Sequence, residues 1–398
     1  MGKKASTPLE TPQASYAART GIGLLVLVVA GMGALFAYSV QRPALVVTPA
    51  ADPVATPVDT PAEPAAAADA PSAEPRPMPT LIDYKGKFQI INGHDHLYRE
   101  QDLGKYLEAA AQTDITSTVF VASSEFTFMG DKGDPDKLND WSTREILRCA
   151  ALHPGKIITF ASFHPSEPAK LELLQEYVGL GVQGLKLYTG HGSFYDRPLA
   201  APEMLPIYGY CQEIGLPICW HVNFEKYINE FEMIMAQFPR LKVIVPHFGV
   251  TFYRPGGVAW NRMTALIDHY PSLYVDCSFG TRDIQVAGLS RVDQYRDIFR
   301  DFFARYQDRI VWGTDMVVTG NKEKTPEWIR SVIQACRDMV EQEEYLFWMA
   351  QKGGKYAGTY APNAEGRLRG LALPPAILEK IYRTNLERIL ARPAIAEQ

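Results

Sequence analysis

The 398-residue chain sets 40 Lys and Arg against 45 Asp and Glu, a formal net charge of -5, and 46% of its residues are hydrophobic. That balance suits a large folded region, and neither a charge excess nor a basic stripe interleaved with aromatics marks a nucleic-acid partner. Five scattered cysteines, Cys149, Cys211, Cys219, Cys277 and Cys336, imply no disulfide framework and read as buried free thiols.

Residues 1–20 form a polar N-terminal segment, and residues 21–40, GIGLLVLVVAGMGALFAYSV, are uncharged and long enough as a helix to cross a bilayer. A cleaved signal peptide is the alternative, but the stretch exceeds the usual apolar region of one and no small-x-small cleavage site follows it. Lys3, Lys4 and Arg19 precede the span and Arg42 alone follows closely. This bias predicts a single-pass protein with a cytoplasmic N-terminus and its remaining chain in the periplasm or outside the cell. Residues 41–80 are rich in Ala and Pro and read as a disordered tether, spanning between about 35 Å as a coil and about 120 Å if extended.

Residues 81–398 carry the folded domain. Strand patterns are expected at Phe88 to Asn92, Ser117 to Ala122, Ile157 to Ser162, Val182 to Tyr188, Pro217 to His221, Val243 to Pro246, Leu273 to Cys277 and Ile310 to Gly313. Helical spacing lies between them, as at Leu171 to Leu180, Glu203 to Gly215, Phe231 to Phe238 and Val292 to Tyr306. Eight strands alternating with helices predict an α/β fold, a (β/α)8 TIM barrel. An open doubly wound sheet is the alternative, disfavoured because no glycine-rich nucleotide loop follows the first strand. The segment Glu125 to Asp140, rich in Gly, Asp and Lys, reads as a loop over the barrel mouth.

His94-Asp95-His96 closes the first strand pattern. Side chains alternate along a strand, so the two imidazoles can aim at one point while Asp95 points away. His221, His247 and Asp315 also fall at strand ends, and Lys186 lies within the fourth strand. Barrel enzymes build their sites at the carboxyl ends of strands, so these positions converge. Any one of them alone reads as a hydrogen-bonded structural residue.

The runs GHDHL, GVQGLKLY, GLPICWHVN, FPRLKVIVPHFG, YPSLYVDCS, IVWGTD and IYRTNLERIL, in this order between Phe88 and Ile389, resemble the amidohydrolase superfamily. The resemblance is in particular to the amidohydrolase-related branch that includes aminocarboxymuconate-semialdehyde decarboxylase. The resemblance implies that His94, His96, His221 and Asp315 hold one divalent metal and that His247 is catalytic. Three imidazoles and a carboxylate suit Zn²⁺ with an open coordination position, and Mn²⁺ or Fe²⁺ are alternatives. Asp315 would also take the proton of a metal-activated water and deliver it to the leaving group, while His247 polarises a carbonyl or shuttles protons. Some superfamily members carry a carboxylated lysine on strand four that bridges two metals. Lys186 stands in that region, and its other reading is a lysine that pairs with a carboxylate or contacts substrate.

Tyr98, Arg99, Tyr188 and His191 are candidate substrate contacts from the first and fourth loops. Arg99, Arg254 and Arg282 are candidates for a substrate carboxylate, with surface salt bridges as the plainer reading. His164 is a candidate outer-shell group, and His153 and His269 read as solvent-facing. The leading expectation is hydrolysis of an amide, ester or lactone bond in a small molecule. Non-oxidative decarboxylation of an aromatic or unsaturated acid is the alternative. A tethered sensor barrel without catalysis is a third reading, suggested only by the tether.

Overall fold

The computed structural model describes residues 86–122, 140–164, 167–191, 197–356 and 363–392. The N-terminal segment, apolar span and tether of residues 1–80 lie outside them, as does the loop at 125–139. No helix among the described residues is long and apolar enough to cross a membrane.

Nine parallel strands form one sheet: β1 (Ile90–Leu97), β2 (Ile115–Val121), β3 (Ile157–Ala161), β4 (Gly184–Leu187), β5 (Ile218–Trp220), β6 (Val243–Val245), β7 (Leu273–Asp276), β8 (Ile310–Val311) and β9 (Met316–Val318). Their order is β8-β7-β6-β5-β4-β3-β2-β1-β9. β8 and β9 are two halves of one chain segment. The first half accepts the Cys277 N–H on the Val311 carbonyl at 3.1 Å, and the second sets Val317 opposite His96 on β1. One interrupted eighth strand therefore bridges β7 and β1, and helices follow the strands as in a (β/α)8 barrel.

The strands read as near-continuous apolar runs because both faces are covered. Ile90, Phe120, Leu185, Leu187, Ile218, Trp220, Val243, Val245, Leu273 and Val275 belong to the large core beneath the helices. The alternate residues Ile91, Val119, Val121, Phe160, Cys219, Ile244, Tyr274 and Val311 form a separate inner cluster, as the two-residue period of a strand requires. Leu386 and Ile389 pack into that inner cluster and form a floor at the end of the barrel away from the site. They lie on a helical stretch that passes through a π turn at Lys380–Thr384. There the Ile381 carbonyl accepts the Trp312 N–H at 2.9 Å, and Asn385 Nδ2 donates to the Gln307 and Ile310 carbonyls at 2.8 and 2.7 Å.

Several boundaries differ from the sequence expectation for local reasons. β1 runs on to Leu97, so His94 and His96 lie inside the strand. The expected eighth strand stops at Val311 and resumes at Met316, because Asp315 adopts a left-handed backbone (φ 54°). The helix expected from Phe231 begins at Phe224, where the Asn223 side chain accepts the Glu225 N–H and caps it. The helical segment Val292 to Tyr306 divides at Tyr295, between helices Arg282–Gln294 and Arg296–Arg305. All five cysteines are buried and free, His269 is exposed, and His153 is half-buried.

Candidate active site

Gly93 allows β1 to approach the eighth strand. A Cβ there would lie 2.3 Å from Val311 Cγ1, and the Gly93 N–H donates to the Trp312 carbonyl at 3.0 Å. One and three residues farther along the strand, the imidazoles of His94 and His96 meet Asp315. His96 Nε2 lies 3.0 Å and His94 Nε2 3.3 Å from Asp315 Oδ1, while His247 Nε2 lies 3.4 Å from Oδ2. The Asp315 side chain is 19% exposed, against 1% for His94, so solvent reaches this carboxylate before the rings behind it.

Asp95 points away from this cluster, as the strand period predicts. It accepts the Asn92 amide at 2.6 Å and the Met316 N–H at 2.7 Å, and it also accepts the Thr314 hydroxyl. Burial pushes its carboxyl up to about 7 against those hydrogen bonds. Through Thr314 and Met316 it fixes both flanks of Asp315.

Asp276, at the end of β7, was not among the residues expected at the site, and it orients two of its histidines. Its Oδ2 accepts from His94 Nδ1 at 2.8 Å, and its Oδ1 accepts from the His247 N–H at 2.9 Å, the Ser278 N–H at 3.1 Å and the Ser278 hydroxyl at 2.7 Å. Burial works to raise its carboxyl, yet the His94 hydrogen bond and the neighbouring imidazoles hold it near 2. This anion fixes the proton of His94 on Nδ1 and turns the Nε2 lone pair toward Asp315. The signal for Asp276 was present in the sequence: it is one more polar residue closing an apolar strand, in YVDCS.

His247 sits on a left-handed turn after β6, where His247, Phe248, Gly249 and Val250 all have φ between 52° and 64°. Left-handed backbone costs about 1–2 kcal/mol for each non-glycine residue. Opposing contacts hold the turn: Phe248 packs on Trp260, Phe279, Phe299 and Phe302, and Thr251 Oγ1 donates to the Phe248 carbonyl at 2.7 Å. His247 Nδ1 donates to the Ser278 carbonyl at 2.7 Å, which leaves its Nε2 lone pair facing Asp315.

His221 follows β5 and its ring lies 5.0 Å from that of His247 and 4.1 Å from that of His191. Its Nε2 is buried with no hydrogen-bond partner among the described residues. Lys186 is fully buried inside the barrel, where Nζ donates to His94 Nε2 at 2.9 Å and Cys219 Sγ at 3.6 Å. No carboxylate accepts from it among these contacts, so its partners differ from those expected. Tyr188 is buried, and its hydroxyl donates to the Ala122 carbonyl at 2.6 Å and lies 3.4 Å from His96 Nδ1, making it a support for His96. Tyr98 is half-buried and Arg99 and Arg254 are exposed. Arg282 pairs with Glu323 at 3.0 Å, in keeping with the salt-bridge reading.

The donors suit a divalent metal. The ligand atoms of His94, His96 and Asp315 all lie within 4.8 Å of one another, and His221 adds a buried nitrogen without a partner among the described residues. Burial lowers His94 to about 4, and it lowers His96 and carries His221 well below the ordinary range, so all three rings are neutral near pH 7. Burial would raise the Asp315 carboxyl, but His94, His247 and the His96 hydrogen bond hold it well below the usual carboxylate range.

A family model described as an amidohydrolase matches residues 82–392. Among solved structures, an amidohydrolase from Burkholderia multivorans with bound HEPES is similar at 12% identity and a TM-score of 0.50, covering 76% of this chain and 99% of that one. A 2,6-dihydroxybenzoate decarboxylase from Rhizobium is similar at 12% identity and a TM-score of 0.48, over 76% and 98% of the two chains. A 4-oxalomesaconate hydratase from Rhodopseudomonas palustris is similar at 16% identity and a TM-score of 0.44, over 76% and 95%. At its identity the likeness to the Burkholderia multivorans structure is one of fold. No curated protein matches the chain.

Proposed function

This chain belongs to the amidohydrolase family, and on that premise we propose that it is a metal-dependent hydrolase of an amide, ester or lactone bond in a small molecule. In this reading His94, His96, His221 and Asp315 hold one divalent ion, Zn²⁺ by the softness of three nitrogens and one oxygen. When bound, such an ion supplies a Lewis acid that polarises a substrate carbonyl and eases ionisation of water.

The observation that carries the reading is the division of Asp315 between its two oxygens. Oδ1 faces the His94 and His96 nitrogens, and Oδ2 faces His247 Nε2 at 3.4 Å. A carboxylate so placed belongs to the ligand set on one side and to a proton path on the other. It takes the proton of the attacking water, and His247, whose ring proton is held on Nδ1 by the Ser278 carbonyl, receives it at Nε2 and returns it to the leaving atom. Asp315 meets solvent on this path, and the rings behind it are buried.

The experiment is turnover of a panel of lactones, esters, amides and aromatic or unsaturated acids in ¹⁸O-labelled water. Hydrolysis incorporates one label into the acid product and releases no carbon dioxide. Carbon dioxide release without label would instead make the protein a decarboxylase. Residues 21–40 complete the proposal as a membrane anchor, with the catalytic domain in the periplasm or outside the cell.

A further inference from the structure

We propose that Lys186 and the divalent ion compete for a single lone pair on His94, so that the lysine sets how tightly the site holds its metal. The inference rests on the metal-site reading above.

Lys186 lies on β4 between Leu185 and Leu187, both of which face the helices. The strand period therefore turns it into the barrel, where it is 0% exposed. Its Nζ lies 2.9 Å from His94 Nε2. An imidazole has two nitrogens, and Nδ1 of His94 is already committed to Asp276 Oδ2 at 2.8 Å. With the ring proton on Nδ1, Nε2 offers one lone pair. A lone pair that accepts a hydrogen bond from Lys186 is not available to a metal, and a metal that takes it removes the acceptor of Lys186. Charge adds to the exclusion, because a lysine cation beside a divalent cation in a buried site is repelled far more strongly than in water.

Two further groups already contact the lysine nitrogen and would keep it when the imidazole is taken. Cys219 Sγ lies 3.6 Å from Nζ, and the Tyr188 ring centroid lies 5.0 Å from it. A small rotation of the lysine side chain would open the imidazole contact and keep those to the thiol and the aromatic face, where a cation is favoured. Metal entry thus costs the lysine one of three contacts and leaves the thiol and the aromatic face, so the buried cation is not left unpaired.

The test titrates zinc into metal-stripped wild type, Lys186→Met and Lys186→Gln against a chromophoric chelator, reading affinity and stoichiometry. Both variants are expected to bind one zinc about tenfold or more tightly than wild type, the opposite of what a merely structural lysine would give. Equal or weaker binding overturns the inference and leaves the metal site standing. Loss of one of two zincs per chain also overturns it, by making Lys186 a bridging ligand. Absence of zinc binding in all three proteins overturns both the inference and the metal reading. A crystal structure of zinc-loaded wild type checks the same point without a substitution. Nζ should leave His94 Nε2 for Cys219 and Tyr188, and Nζ still bonded to that nitrogen overturns the inference.

Discussion

Asp276 never needs to touch a substrate to matter, because one carboxylate sets both the tautomer of His94 and the backbone position of His247. Asp276→Asn keeps the size of the side chain but removes the charge that holds the His94 proton on Nδ1. Zinc affinity should fall about 10- to 100-fold, measured by chelator competition, with little change in the far-ultraviolet circular dichroism. Titration gives a second residue-level outcome. His94 is lowered to about 4 and His191 to about 3, burial being the first cause for each. Between these values and pH 6.5 the unfolded chain binds protons that the folded chain refuses, so stability falls as pH falls through this window. Urea midpoints at pH 7 and pH 4.5 should show the loss, and His191→Gln should show less of it.

At the scale of elements, the left-handed turn that carries His247 is the most strained piece of the site, and Gly249 is its tightest point. A Cβ at Gly249 (φ 62°) would lie 2.5 Å from the Phe224 ring. Gly249→Ala should therefore destabilise the protein by about 2–4 kcal/mol in urea denaturation and slow turnover by shifting His247. None of this was legible in PHFGV, where one glycine among bulky residues, and a β-branched Val250 above all, argues against four left-handed residues in succession. The strands were legible as short apolar runs, and those closed by His or Asp mark the site as well as the walls. The interruption at Asp315 was hidden because its backbone is fixed by Thr314, Met316 and Asp95, partners some 220 positions apart in the chain. Lys186 was found, but its partner was not, because a lysine in GLKLY looks the same whether it faces a carboxylate or an imidazole.

On the scale of the whole molecule, every described residue lies within one compact unit. Its entry is fixed at the floor end: Asp114 accepts the Gly86, Lys87 and Phe88 N–H groups at 2.6, 2.9 and 3.0 Å, and Lys87 pairs with Glu341 at 2.7 Å. If residues 21–40 anchor the chain, full-length protein should stay in the membrane fraction through an alkaline carbonate wash, while residues 81–398 alone should stay in the supernatant with zinc-dependent activity. Full-length protein in the supernatant would remove the anchor from the proposal.

The floor of the barrel has a consequence for the order in which the protein is made. Leu386 and Ile389 seal the interior, and Ile381 caps the eighth strand through Trp312. Every wall strand leaves the ribosome before them. A nascent chain that already holds His94, His96, His221, His247 and Asp315 therefore still lacks the piece that closes its core, and its inner apolar residues stay open to water and to other chains. Assembly of the site waits on translation of a helix that contributes no atom to it, and chaperone demand should peak just before that helix emerges.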